Sequence, residues 1–151
     1  MSSDIPTTKF ASASSPLHFG LNAVAMTAAP LYILWALFDV NPIEPTNAPF
    51  VAVGAAVSLV FLYLSYGNVA TGVFNRLMVK RHDSVGPDVV KAAAEGKKEQ
   101  KEEVKGKLIK GVQEASAAEA VNTSIVYNNV LFVAMFVLLC FYIFRNSADL
   151  M

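Results

Sequence analysis

Of the 12 Lys and Arg residues in this 151-residue chain, all but Lys9 and Arg145 fall between Arg76 and Lys110. A cationic run of this kind can do one kind of chemistry well. It attracts closely spaced phosphates through a salt-sensitive, largely sequence-independent term. The candidates are Arg76, Lys80 and Arg81, followed by Lys91, Lys97, Lys98, Lys101, Lys105, Lys107 and Lys110. His82, beside Arg81, reads as a further polar or phosphate-facing group rather than a base. The plainer account is a solvated helix face that also sets membrane orientation. Asp and Glu nearly balance the segment, so phosphate binding requires the basic side chains to gather on one side.

A second cluster, Tyr127-Asn128-Asn129, places two amides and a phenol near the start of an apolar run. Amides in such a place hydrogen-bond within a helical bundle, contributing about 0.6–2 kcal/mol each. Gly54 and Ser58 form a small-xxx-small pair that lets another helix approach closely. We take all five as helix-packing candidates.

Nothing points to catalysis. The sequence has no HExxH, no Cys-x-x-Cys, no phosphate-cradling glycine loop and no paired intramembrane carboxylates. His18 and His82 are isolated, and the single cysteine, Cys140, lies within an apolar run with no partner for a disulfide or zinc site. No enzyme activity, cofactor or metal is implied.

The elements that must position these residues are three apolar stretches, Leu17–Phe38, Phe50–Tyr66 and Ile125–Phe144, each without an interior charge. At roughly 17–22 residues, each matches a helix crossing a hydrocarbon core of about 30 Å. The chain is thus expected to be an all-α integral membrane protein with three transmembrane helices and a helical hairpin between the second and third. Pro30 interrupts the first span, which spanning helices tolerate where neighbours repair the freed carbonyl. Tyr32 and Trp35 suit interface anchors near its end. The first run is too long for an ordinary signal peptide and reads as a retained span.

The link 39–49 holds Pro42, Pro45 and Pro49, with Asp39 and Glu44 its only charges. Beyond Tyr66 the second helix is expected to leave the bilayer as an amphipathic one, broken at Ser84–Asp88, where Pro87 suits a first helical position. From Val89 to about Ala118 a further helix is expected, with Val104, Leu108 and Val112 as its apolar stripe and Gly96, Gly106 and Gly111 weakening it.

The basic segment has ten Lys/Arg and the 39–49 link none. The positive-inside bias therefore places 76–119 in the cytosol and the link on the far side. The expected organisation is a flexible cytosolic tail (1–16), two spans with a lumenal link (17–75), a charged cytosolic hairpin (76–119), and a third span with a short tail (120–151). Asn122, in the only glycosylation sequon, then faces the cytosol.

The stretch from Glu119-Ala120 through Ser124-Ile125-Val126-Tyr127-Asn128-Asn129-Val130-Leu131-Phe132 resembles the third-span region of a known family. That family is the gamma subunit of the translocon-associated protein complex, also called the signal sequence receptor complex. Phe19-Gly20, Asn22-Ala23, Ala29-Pro30 and Leu34-Trp35 are similar to its first span. Tyr66-Gly67-Asn68-Val69, the basic run and Asp83-Ser84-Val85 are similar to its second span and loop.

The resemblance implies an accessory subunit in the endoplasmic reticulum membrane beside the Sec61 channel. Its implied partners are the alpha, beta and, in many lineages, delta subunits, the ribosome with its RNA, and the lipid bilayer. It also implies that the cytosolic hairpin touches the translating ribosome during secretory protein translocation. Family members usually have four spans with both ends cytosolic, whereas a three-span reading puts the C-terminal tail in the lumen. The alternatives are a small transporter or channel subunit, for which Pro30 is the only hint, and a membrane tether for a non-ribosomal partner.

Overall fold

A computed structural model describes residues 15–38, 41–82, 85–93 and 100–144. The described residues form helices α1 (Ser15–Phe38), α2 (Ala48–His82), α3 (Pro87–Ala93) and α4 (Gln100–Leu139), the last ending in a π-helical turn, Cys140–Phe144. No strand occurs among them. The chain is all-α. Helices α1, α2 and α4 are each long and apolar enough to cross a membrane.

Length sets what lies outside. At 1.5 Å per residue, the 35 residues of α2 extend about 52 Å and the 40 of α4 about 60 Å. A hydrocarbon core of about 30 Å takes up roughly 20 residues of either. Each therefore has a surplus of several turns, and in each the charged residues occupy that surplus. Pro30 lies within α1, and Gly106 and Gly111 within α4, without ending their helices.

Along the apolar runs the exposed side chains are apolar, and much of what is buried among the described residues is small or polar. Phe61, Val130, Leu138 and Phe141 are exposed, while Thr27, Ser116, Ser124 and Asn128 are buried. Such inversion suits helices whose outer faces meet lipid and whose contacts depend on close packing and hydrogen bonds.

The chain divides into two compact units. One comprises α1, the first part of α2 and the last part of α4. Phe19, Ala23 and Thr27 recur every fourth residue on the buried face of α1, and the Thr27 hydroxyl donates to the Ala23 carbonyl at 2.8 Å. The Phe19 ring stacks on Tyr66 with centroids 5.7 Å apart. The turn into α2 is tightly bonded. Ile43 N–H donates to Asn41 Oδ1 at 3.1 Å, and Asn47 Nδ2 donates to the Asn41 carbonyl and to Glu44 Oε2, each at 3.3 Å. Pro49 falls in the first turn of α2, where its missing N–H costs little.

The other unit centres on residues 68–123. Among the described residues, Ala70 and Phe74 on α2, Val90 on α3, and Ser116, Ala120 and Val121 on α4 are buried in it. Gly86 precedes Pro87, and its carbonyl accepts from Val89 and Val90 at 3.1 and 3.2 Å, starting α3 where the sequence pattern expects a helix to start. Within the expected helix over 89–118, the described residues are helical as far as Ala93 in α3 and again from Gln100 in α4. Gly96 and its neighbours fall outside the described residues. Helix α4 then runs unbroken past residue 119, so the change from charged to apolar sequence there is not a change in backbone. Val104, Leu108 and Val112 are all half-buried, and their four-residue spacing continues through Ser116, Ala120, Ser124 and Asn128.

Candidate functional sites

The basic candidates on α2 divide by helical position. Arg76 and Lys80 are one turn apart, and both are exposed. Arg81 sits about 140° around the helix from Arg76, at 100° per residue. That places it with Phe74, seven residues earlier and fully turned inward. The Arg81 guanidinium donates to the Ser116 hydroxyl at 3.2 Å and pairs with the Glu119 carboxylate, both on α4. Two side chains that look equivalent in sequence, Lys80 and Arg81, thus have different surroundings.

Farther along, Lys91 on α3 and Lys105 on α4 are exposed, as is Lys110. Lys107 Nζ lies 2.6 Å from Glu103 Oε1, one turn away. Its hydrogen bond, and then its charge, hold the Glu103 carboxyl below the usual carboxylate range. Lys97 and Lys98 lie outside the described residues, as do the side chains of His82 and Lys101.

The amide cluster meets α2 within the other unit. Ser65 Oγ donates to Asn128 Oδ1, and the Tyr66 hydroxyl donates to Asn129 Oδ1. Ser124 Oγ donates to the Tyr66 carbonyl at 2.7 Å. Asn128 Nδ2 donates to the Ser124 carbonyl at 2.8 Å and to its hydroxyl at 3.3 Å. Tyr66, Ser124 and Asn128 are buried, and among the described residues no buried side-chain nitrogen or oxygen lacks a partner. Tyr127, by contrast, is exposed. Sequence reasoning singled out the two asparagines but not Ser65, Tyr66 or Ser124. The signal was there in the spacing, since Ser124 stands one turn before Asn128.

Gly54 and Ser58 border a cavity of about 440 Å³, together with Pro30 and Leu34 on α1 and Phe132 and Met135 on α4. A Cβ placed on Gly54 would meet nothing within 4 Å. No charged side chain borders this space among the described residues, so a polar solute would find no ionic partner there. No group of three His, Cys, Asp or Glu side chains gathers to hold a metal among the described residues.

Comparison with known families gives a match over nearly the whole chain. The family described as translocon-associated protein, gamma subunit (TRAP-gamma), matches residues 7–151.

Proposed function

The chain belongs to the translocon-associated protein gamma-subunit family, and from that premise we propose that it joins the translating ribosome to the translocon through its basic helical unit. The family is one of translocon-associated subunits, not of enzymes. In this reading the chain lies in the endoplasmic reticulum membrane beside the Sec61 channel and the other subunits of its complex. Residues 76–119 form a cytosolic hairpin, and the turn Asn41–Asn47 lies in the lumen. The protein assists co-translational translocation of secretory and membrane proteins.

One observation carries the reading. Arg76 and Lys80 project from the same exposed face of α2, in the part of that helix that exceeds a bilayer's thickness. A cationic face held close to the membrane surface is where a ribosome seated on the channel would present RNA phosphates. Lys91, Lys105 and Lys110 extend the available charge, while Arg81 is engaged with α4.

The test is ribosome binding to the purified complex across a salt series. Binding through phosphates weakens linearly in log affinity against log salt, and each contact contributes about 0.7–0.9 to the slope. Arg76→Glu with Lys80→Glu is expected to lower both affinity and slope, with insertion and complex assembly intact. An unchanged slope would leave the basic segment as a topology signal only.

A further inference from the structure

Arg81 occupies a different place from its basic neighbours. It lies on the inward face of α2, in line with Ala70 and Phe74, and engages Ser116 and Glu119 on α4. Those partners sit three residues apart on one face of α4, so a single guanidinium spans them and fixes α4 both along and around its axis. An arginine fork suits this, because its donors are held in a fixed plane, whereas a lysine ammonium is one compact charge. The Arg81 side chain remains about one-third exposed and that of Glu119 about one-half, so the pair is reachable by water but not freely solvated.

We infer that Arg81 is a positioning residue: it clasps α4 through Ser116 and Glu119 and thereby holds the exposed Arg76/Lys80 face in its orientation, without contacting ribosomal RNA itself. This rests on the ribosome-binding reading above. It reassigns one of the basic residues that reading would otherwise count as a phosphate contact.

Two measurements on the intact complex separate the possibilities. The first is amide hydrogen exchange without ribosomes, which reports local opening. Arg81→Glu and Glu119→Arg should each speed exchange in residues 77–82 and 113–120 by about three- to fivefold, the scale of a partly exposed ion pair. The double variant, with the charges exchanged, should restore protection. The second is the salt dependence of ribosome binding. Arg81→Gln should lower affinity and leave the slope unchanged, whereas loss of a phosphate contact reduces the slope by about 0.7–0.9.

Protection that does not change in either single variant, or that stays lost in the double variant, overturns the clasp. So does a reduced slope for Arg81→Gln. If the unmodified complex shows no salt-sensitive ribosome binding, the ribosome reading fails instead, and the exchange data alone decide whether Arg81 holds α4.

Discussion

The hydroxyl of Tyr66 donates a hydrogen bond to the side-chain oxygen of Asn129, and the carbonyl of the same tyrosine accepts one from Ser124. One residue of α2 is thus gripped at both its backbone and its ring tip by two residues of α4. Hydrogen bonds of this kind within membrane proteins contribute about 0.6–2 kcal/mol. A double-mutant cycle of Tyr66→Phe and Asn129→Ala should show coupling in that range, read by denaturant unfolding in detergent micelles. Additive effects would mean that the contact contributes nothing to stability.

Asn128 should be the costlier loss. Its amide serves Ser65 and Ser124 together and is buried. Asn128→Leu is expected to destabilise by about 1–3 kcal/mol, because buried partners are left unsatisfied. Asn128→Asp would place a charge among the same groups. It should lower the amount of folded protein in membranes further still, measured by resistance to extraction and proteolysis.

Glycines within the long helices offer a test of opposite sign. A Cβ on Gly106 or Gly111 would meet nothing within 4 Å, and both residues are exposed inside α4. Each Gly→Ala change should stabilise by about 0.5–1 kcal/mol through helix propensity alone. Gly54→Ala should likewise be neutral or stabilising for the chain by itself. Impaired recovery of the whole complex with that variant would reveal a neighbouring helix at Gly54.

Lys105 and Lys107 are close in sequence but should differ in ribosome binding. Lys107 is already paired with Glu103, while the exposed Lys105 forms no ion pair among the described residues. Lys105→Gln is expected to reduce the salt slope by up to about 0.7–0.9, and Lys107→Gln to leave it nearly unchanged. Equal reductions would show that the Glu103 pair opens on the ribosome.

Orientation is open to direct test. With 76–119 in the cytosol, protease added to sealed microsomes should cut within that segment and spare the Asn41–Asn47 turn. Asn122 should carry no glycan. Glycosylation there would reverse the arrangement.

Much of the architecture can be read from patterning. Three uncharged apolar runs specify three long helices, and Gly86-Pro87-Asp88 specifies the start of α3. What patterning obscures is continuity. The continuation of α2 beyond Tyr66 is expected from the sequence, but the change in hydropathy near Ile125 hides that the backbone of α4 passes through it unbroken, because Ala, Lys, Glu and Leu all favour the helix. The division among the basic residues is obscured for another reason. Charge alone makes Lys80 and Arg81 alike, and only the heptad running from Phe74 to Arg81 places one outward and the other against α4. That spacing is present in the sequence, but its meaning depends on where Ser116 and Glu119 lie.

Residues 39–47 are all that separate Phe38 from Ala48, and Asn41–Asn47 are cross-bonded through the side chains of Asn41, Glu44 and Asn47. Even fully extended, nine residues reach only about 30 Å, and this turn is far from extended. During synthesis, α2 therefore cannot wander from α1 in the plane of the bilayer, nor wait on the opposite side while α1 settles. The two are tethered neighbours, turned back on one another at the Asn41–Asn47 turn.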